Sequence, residues 1–325
     1  MKPCIALTAG DPAGIGPEIV PQALRDLDGE ARIVVLGPRA VRPDGVPEVG
    51  APGDVGARGA PDVGWISTEG PDAWSPGEVQ ASCGAAAVAA LRAGHELAMA
   101  GDVDALVTGP VNKAALHAAG TKVEGQTELL SRWCDVDRYE MVGLAGALRV
   151  MLATRHMPLR SAIERITFDL VLDRLVLFDE ALRTLGHAEP TVALAGLNPH
   201  AGEGGLLGVE DDEVLRPAAE AARARGVDVR GPISPDSVFF EGLRGVHDGV
   251  LALYHDQAFI PLKLAAEGRG VTWIAGLPYQ RFSPMHGTAF DIVGRKRPDG
   301  RPVADPGNLS EALRVAVRVA RRRAE

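Results

Sequence analysis

Seven short apolar runs of β type alternate with longer helical patterns along most of this 325-residue chain, and that alternation restricts its fold more than any other feature. The runs are CIALTA (4–9), ARIVVLG (31–37), DALVTG (104–109), RVMLAT (149–154), TVALAGL (191–197), GVLALY (249–254) and VTWIAGL (271–277). Helical patterns lie at 17–27, 82–100, 112–119, 126–135, 158–164, 168–185, 210–225 and 308–324. Nearly continuous apolar strands interleaved with helices predict an α/β protein with a largely parallel sheet. The length suggests about two domains, on a prior of roughly 150 residues each. Such a chain can bury a sizeable core without disulfides. Residues 38–77 break the alternation with so many Gly and Pro that a surface excursion with little regular structure is expected, with Trp65 and Trp74 packing parts of it down.

Charge narrows the partners. Against 34 Lys and Arg stand 43 Asp and Glu, a net charge of −9, which argues against a nucleic-acid binder built on phosphate contacts. A small anionic substrate stays open, because a pocket needs few local cations. The arginines at 314, 318, 321, 322 and 323 read as a solvated face of the last helix. Three cysteines, Cys4, Cys83 and Cys134, lack metal spacing and suit a reducing compartment. The first residues turn into Gly10-Asp11-Pro12 too early for a signal sequence, and no unbroken apolar run reaches 18 residues. A cytoplasmic protein without membrane contact is expected.

The unusual polar residues collect in the turns after the strands. Gly10-Asp11-Pro12 follows the first, Pro110-Val111-Asn112-Lys113 the third, and Arg155-His156 the fourth. Asn198-Pro199-His200, His255-Asp256-Gln257 and Pro278-Tyr279-Gln280-Arg281 follow the last three. In open α/β sheets, ligands bind beyond the carboxyl ends of the strands. Any one of His156, His200 and His255 alone reads as a histidine hydrogen-bonded at a strand end. Taken together, each beside Pro, Gly or Asp, they favour a divalent-metal site with a position left for substrate. Asp236 and Asp256 are acidic partners for it. The glycines of GDPAGIGPE (10–18) do not match the G-x-G-x-x-G dinucleotide fingerprint, and no acidic residue closes the second strand. A Rossmann cofactor site is not expected.

HGTAFDIVGR (286–295), with ADPGN (304–308), resembles the H-G-T-A cofactor loop of the isocitrate and isopropylmalate dehydrogenases, which bind NAD(P) without a Rossmann domain. GDPAGIGPE is similar to an extended form of those enzymes' G-D-G-I-G-P-E turn. Further motifs narrow the match: DALVTGPVNKAAL (104–116), GQTELL (125–130), LNPHAGEGG (197–205), GPISPDSVF (231–239) and LYHDQAFIPLK (253–263). With these, the chain resembles the 4-hydroxythreonine-4-phosphate dehydrogenases of pyridoxal-phosphate biosynthesis, in family order over nearly its whole length.

That resemblance implies a two-domain α/β/α fold of the isocitrate/isopropylmalate dehydrogenase-like type. The first domain would be 1–116 with 294–325 and the second 117–293, with the active site in the cleft between them, completed by the other subunit of a homodimer. It implies one divalent ion (Zn, Mg, Co or Mn) held by His156, His200 and His255, and NAD or NADP held by His286, Gly287, Thr288, Asp305 and Asn308. Substrate would be bound by Gln126, Thr127, Lys263, Thr272 and Arg281. Lys263 and Asp236 are the catalytic candidates, Lys263 for proton handling or phosphate pairing. The implied reaction is oxidation of 4-phosphohydroxy-L-threonine to 2-amino-3-oxo-4-phosphooxybutanoate, which decarboxylates to 3-amino-2-oxopropyl phosphate. Two positions depart from the family pattern, Gln126 for His and Thr272 for Asn, and Gln126 cannot titrate as histidine does. A paralogous dehydrogenase for a 4-phospho-tetronate or a dihydrodiol carboxylate is therefore the alternative. An acyl-phosphate transferase is the alternative of another class.

Overall fold

Each of the seven apolar runs becomes a strand whose ends lie within two residues of the run's own. The computed structural model describes residues 2–27, 29–56 and 59–324. The strands are β1 Cys4–Thr8, β2 Arg32–Pro38, β3 Val63–Thr68, β4 Ala105–Thr108, β5 Glu140–Ala145, β6 Leu148–Leu152, β7 Thr191–Ala195, β8 Asp228–Ile233, β9 Gly249–Ala252, β10 Val271–Ala275 and β11 Arg281–Pro284. The α-helices are α1 Gly16–Asp26, α2 Ala81–Ala100, α3 Lys113–Ala118, α4 Gln126–Cys134, α5 Leu159–Arg165, α6 Phe168–Thr184, α7 Arg216–Ala224, α8 Val238–Leu243, α9 His255–Ala266 and α10 Gly307–Ala324. No described helix is long and apolar enough to cross a membrane.

The chain divides into two compact units, 1–137 with 277–325, and 138–276. The domain boundaries expected from the sequence, 116/117 and 293/294, both fall inside the first unit. The reason is local. The Gln126 side chain at the start of α4 donates to the Gly109 carbonyl (3.0 Å), and β11 pairs in parallel with β4, so 117–137 and 277–293 pack with the first unit.

In the first unit the strands run β3-β2-β1-β4-β11, all parallel. Every residue of β1 and β4 is buried, the signature of a sheet covered on both faces. α2 and α10 pack against these strands, α3 against α2, and α1 against α10. The Gly/Pro segment departs from expectation, and it is described except at residues 57 and 58. It contributes β3, which pairs with β2 from Ile33↔Val63 to Pro38↔Thr68, and Trp65 is fully buried with its Nε1 donating to the Gly37 carbonyl (3.2 Å). Trp74 is half-buried.

The α2–α3 contact is close enough to predict a cost. A Cβ on Gly84 would lie 2.0 Å from the Ala115 carbonyl oxygen, which is backbone and cannot rotate away. Gly84→Ala is therefore expected to destabilise the protein by about 2–3 kcal/mol, the upper part of the overpacking range, as read by urea denaturation. A change under about 0.5 kcal/mol would contradict that packing.

In the second unit the order is β10-β5-β6-β9-β7-β8. β5 pairs antiparallel with both β10 and β6, the latter as a tight hairpin, and the remaining pairs are parallel. α6 is N-capped by Thr167, whose Oγ1 accepts from Leu170 N (3.3 Å), and packs on β7, β9 and α7. α9 packs on β5 and β6, so closely that a Cβ on Gly143 would lie 2.4 Å from Leu262.

Candidate functional site

The first unit gathers its polar side chains around the end of β4. Gly109 N donates to the Thr8 carbonyl (2.9 Å), joining the ends of β1 and β4, and Asp11 N donates to the Pro110 carbonyl (2.9 Å). Gly10 adopts φ +81°, and a Cβ there would lie 2.5 Å from the Pro110 oxygen, so this crossing requires glycine. The two motifs from opposite ends of the chain meet here: Ile15 N donates to the Thr288 carbonyl (3.0 Å), and Gly294 N to Glu18 Oε1 (2.7 Å).

Arg281 is 2% exposed and donates from Nη2 to Thr108 Oγ1 (2.6 Å), one residue before the carbonyl that holds Gln126. Burial lowers its pKa to about 10, against raising contributions from Tyr279 and Glu128. Among the described residues of this unit, five buried side-chain atoms have no hydrogen-bond partner: Arg281 Nε, Gln126 Oε1, Asp11 Oδ2 and His286 Nε2, and, at the end of β3, Thr68 Oγ1. Buried polar atoms left open in this way call for an explanation, and a ligand is one. Thr127 is buried at the first turn of α4. Asp11 is fully buried, and burial pushes its carboxyl up despite backbone donors from Ala13 and Asn112. The sequence marked its turn but not this side chain.

The expected cofactor residues follow β11. His286 is half-buried with Nδ1 2.9 Å from the Gly287 carbonyl, Thr288 is buried, and a Cβ on Gly287 would meet nothing within 4 Å. Asp305 Oδ1 accepts from Gly307 N (2.8 Å) just before α10, and Asn308 lies in its first turn. An open glycine beside an unpartnered imidazole nitrogen fits a loop that accepts a dinucleotide.

The second unit brings together two of the three expected metal ligands. The rings of His156, after β6, and His255, the first residue of α9, lie 4.7 Å apart and line a cavity of about 300 Å³ with Arg155, Met157 and Tyr254. His255 stacks on Phe259 at 4.6 Å, and its Nδ1 lies 2.7 Å from Asp256 Oδ1, which orients the ring and leaves Nε2 as the donor toward a metal. Beside the pair, Arg155 bridges to the buried Glu140 carboxylate (3.4 Å), which Arg174 also approaches at 3.3 Å.

His200 is exposed on a turn of unusual backbone. Residues 200–205 all have positive φ, and three of them, His200, Ala201 and Glu203, are not glycine. Left-handed backbone costs a non-glycine residue roughly 1–2 kcal/mol, and such strain concentrates at functional sites. Lys263 is exposed two turns further along α9. Thr272 is buried on β10 opposite Gly143, and Asp236 is exposed with its carboxylate accepting from Ser234 Oγ (2.7 Å). Among the described residues, no three His, Cys, Asp or Glu side chains gather as a metal-ligand group. The imidazoles of His156 and His255, the latter oriented by Asp256, are of a chemistry that suits a divalent ion, with further ligands still to be supplied. The sequence missed Asp211 and Gln257, whose hydrogen bonds fix the two histidine turns. Gln257 was visible in a strand-end turn and Asp211 in a helical stretch, but not the backbone groups they bind.

The architecture is that of the isocitrate/isopropylmalate dehydrogenase-like proteins, not a plain Rossmann fold. A β-decarboxylating dehydrogenase from Thermococcus kodakarensis shares it with a TM-score of 0.52 at 18% identity, covering 98% of this chain and 83% of that one. Within that class, the chain belongs to the PdxA family: the model of the pyridoxal phosphate biosynthetic protein PdxA matches residues 49–316. It is similar to a D-threonate 4-phosphate dehydrogenase of Pectobacterium atrosepticum, 40% identical over 94% of this chain and 98% of the relative. A solved 4-hydroxythreonine-4-phosphate dehydrogenase from Klebsiella pneumoniae superposes with a TM-score of 0.85 at 37% identity, covering 98% of this chain and 100% of that one.

Proposed function

We propose that the chain is a divalent-metal-dependent, NAD(P)-linked dehydrogenase that oxidises 4-phosphohydroxy-L-threonine at its secondary hydroxyl, with loss of CO2 from the β-keto acid formed, in pyridoxal-phosphate biosynthesis. The observation that carries this reading is the paired imidazoles of His156 and His255 in a PdxA-family chain. With His200 they would hold the ion, which supplies Lewis acidity toward the oxygen being oxidised. Arg281 would bind an anionic group of the substrate, its open Nε donating to phosphate or carboxylate while Nη2 is held by Thr108 Oγ1. Gln126 Oε1 would accept from a substrate hydroxyl or ammonium, and Thr127 and Thr272 would add hydroxyl contacts. Lys263 would pair with the phosphate or take the proton released with the hydride, and Asp236 would be an acidic partner of the metal site. His286, Gly287 and Thr288 would hold the dinucleotide with Asp305 and Asn308.

A homodimer completes the reading. Ile260 and Leu264, one turn apart on α9, are 61% and 76% exposed, and Phe240 and Leu206 are also exposed in the same unit. Apolar side chains so placed support a self-association surface, and a second copy would then supply the ligand missing from the histidine pair. Free cysteines suit a cytoplasmic setting.

A second substrate, D-threonate 4-phosphate, is favoured by the Pectobacterium relative and by Gln126, which takes the place of a titratable histidine. Reduced-nicotinamide formation from each substrate, with NAD and with NADP, before and after chelation, tests both. Turnover that chelation abolishes and a divalent salt restores is expected with one of the two. Acyl transfer from an acyl phosphate by metal-free protein, with no dehydrogenation, would overturn the reading.

A further inference from the structure

Three consecutive residues ahead of His200 are pinned by side chains from elsewhere in the second unit. The Gly196 carbonyl accepts from Gln257 Nε2 (2.8 Å), and Gln257 Oε1 accepts from Leu253 N (2.7 Å). Leu197 N donates to Asp211 Oδ1 (2.9 Å), and Asn198 N to Asp211 Oδ2 (3.1 Å). The Asn198 side chain then closes the clasp, its Nδ2 donating to Asp211 Oδ2 (2.9 Å) and to Glu210 Oε2 (2.8 Å). Asp211 is fully buried, and no arginine or lysine pairs with it among the described ion pairs, so these three donors are what hold its carboxylate. Gly202, in the same left-handed turn as His200, packs over it: a Cβ there would lie 3.3 Å from Asp211 Cβ and 2.9 Å from the Gly208 carbonyl.

We propose that Asp211 is a positioning residue that fixes the left-handed turn of His200 in the geometry metal binding requires, a role that rests on reading His200 as a ligand. Through Gln257, two residues beyond His255, the same backbone segment also ties the His255 turn to the His200 turn. Asparagine at 211 keeps the shape but places an NH2 group against one of the three donors, so the clasp loses an acceptor.

The test is cobalt(II) binding to the purified full chain, followed by visible d–d absorption and by competition with a chelating dye. Thermal midpoints of the metal-free proteins are read alongside. Asp211→Asn is expected to weaken cobalt binding about 10- to 100-fold and to alter the d–d spectrum, as outer-shell substitutions do. Asn198→Ala, which keeps the carboxylate, is expected to weaken it less, and it decides the matter if the first variant does not fold. A lowered thermal midpoint with unchanged cobalt affinity would mean an ordinary structural aspartate and overturn the proposal. His200→Ala separates the two ideas. If it abolishes tight binding while Asp211→Asn does not, His200 is a ligand and the positioning role is wrong. If His200→Ala binds cobalt as the unaltered protein does, the ligand reading itself fails.

Discussion

Alanine in place of His255 is expected to lower kcat/KM by about a thousandfold or more in the metal-supplemented assay. The figure follows from the several kcal/mol that a positioned Lewis acid contributes to a developing alkoxide, with about 1.4 kcal/mol per tenfold in rate. His255 is half-exposed at the first residue of α9 and contacts chiefly the faces of His156 and Phe259 and the Asp256 carboxylate. Its loss leaves no buried group unpaired, so the thermal midpoint of the metal-free protein should move little, in keeping with about 1 kcal/mol or less. His156→Ala should fall similarly, and the double variant should cost about the same as either alone, because two ligands of one ion act as a unit. Activity within tenfold of the parent for either single variant would remove the histidine pair from the chemistry. Additive losses in the double variant would show that the two imidazoles act separately.

How much of this was legible in the sequence depends on how far each signal reaches. His156 and His255 were legible because each closes an apolar run, and position after a strand is a local feature. His200 was legible as a residue in a glycine-rich turn, but the run of positive φ from 200 to 205 was not, since only three of those six residues are glycine. Asp211 and Gln257 escaped because they act on backbone groups 14 and 61 residues away, and nothing in their neighbours marks the distance. β3 was hidden in the Gly/Pro segment, where VGWIST is flanked by turn residues, yet pairing with β2 buries Trp65 completely. α9 was concealed by Pro261, which sits inside the helix although proline removes a backbone donor. The domain boundaries implied by the resemblance, 116/117 and 293/294, differ from the division of the structure at 137/138 and 276/277, where β11 is committed to the first unit by its parallel pairing with β4. Arg281 was legible as an anion-binding type of residue by resemblance alone, and its burial came from the fold.

Methionine at position 281 is expected to separate binding from stability. Burial takes the Arg281 guanidinium well below its ordinary value, down to about 10, so the folded state holds the charged form less readily than the unfolded chain does. Between those values the unfolded chain binds more protons, and stability contributed by this group rises with pH through that window. Below pH 10, where enzymes are assayed, the cost of burying the charge is present in full. Methionine removes that cost but leaves Thr108 Oγ1 without its donor, and these effects oppose each other, so the ligand-free thermal midpoint should shift little. Ligand binding should behave differently. A phosphate or carboxylate seated on the open Nε offsets the cost of burying the charge, so substrate or inorganic phosphate should raise the midpoint of the unaltered protein, by about 2.7 kcal/mol of stability at a hundredfold excess over Kd. Arg281→Met should lose most of that rise, and kcat/KM should fall about 10²- to 10³-fold, equivalent to 3–4 kcal/mol for a truncated buried charge contact. The loss should lie mainly in KM, because the anion is held equally before and during reaction. Arg281→Lys should recover little of it, since a point charge cannot reproduce the planar fork. A variant that keeps both the ligand-induced rise and the KM of the parent would show that Arg281 is buried for the fold alone, and the anion would then have to be bound elsewhere.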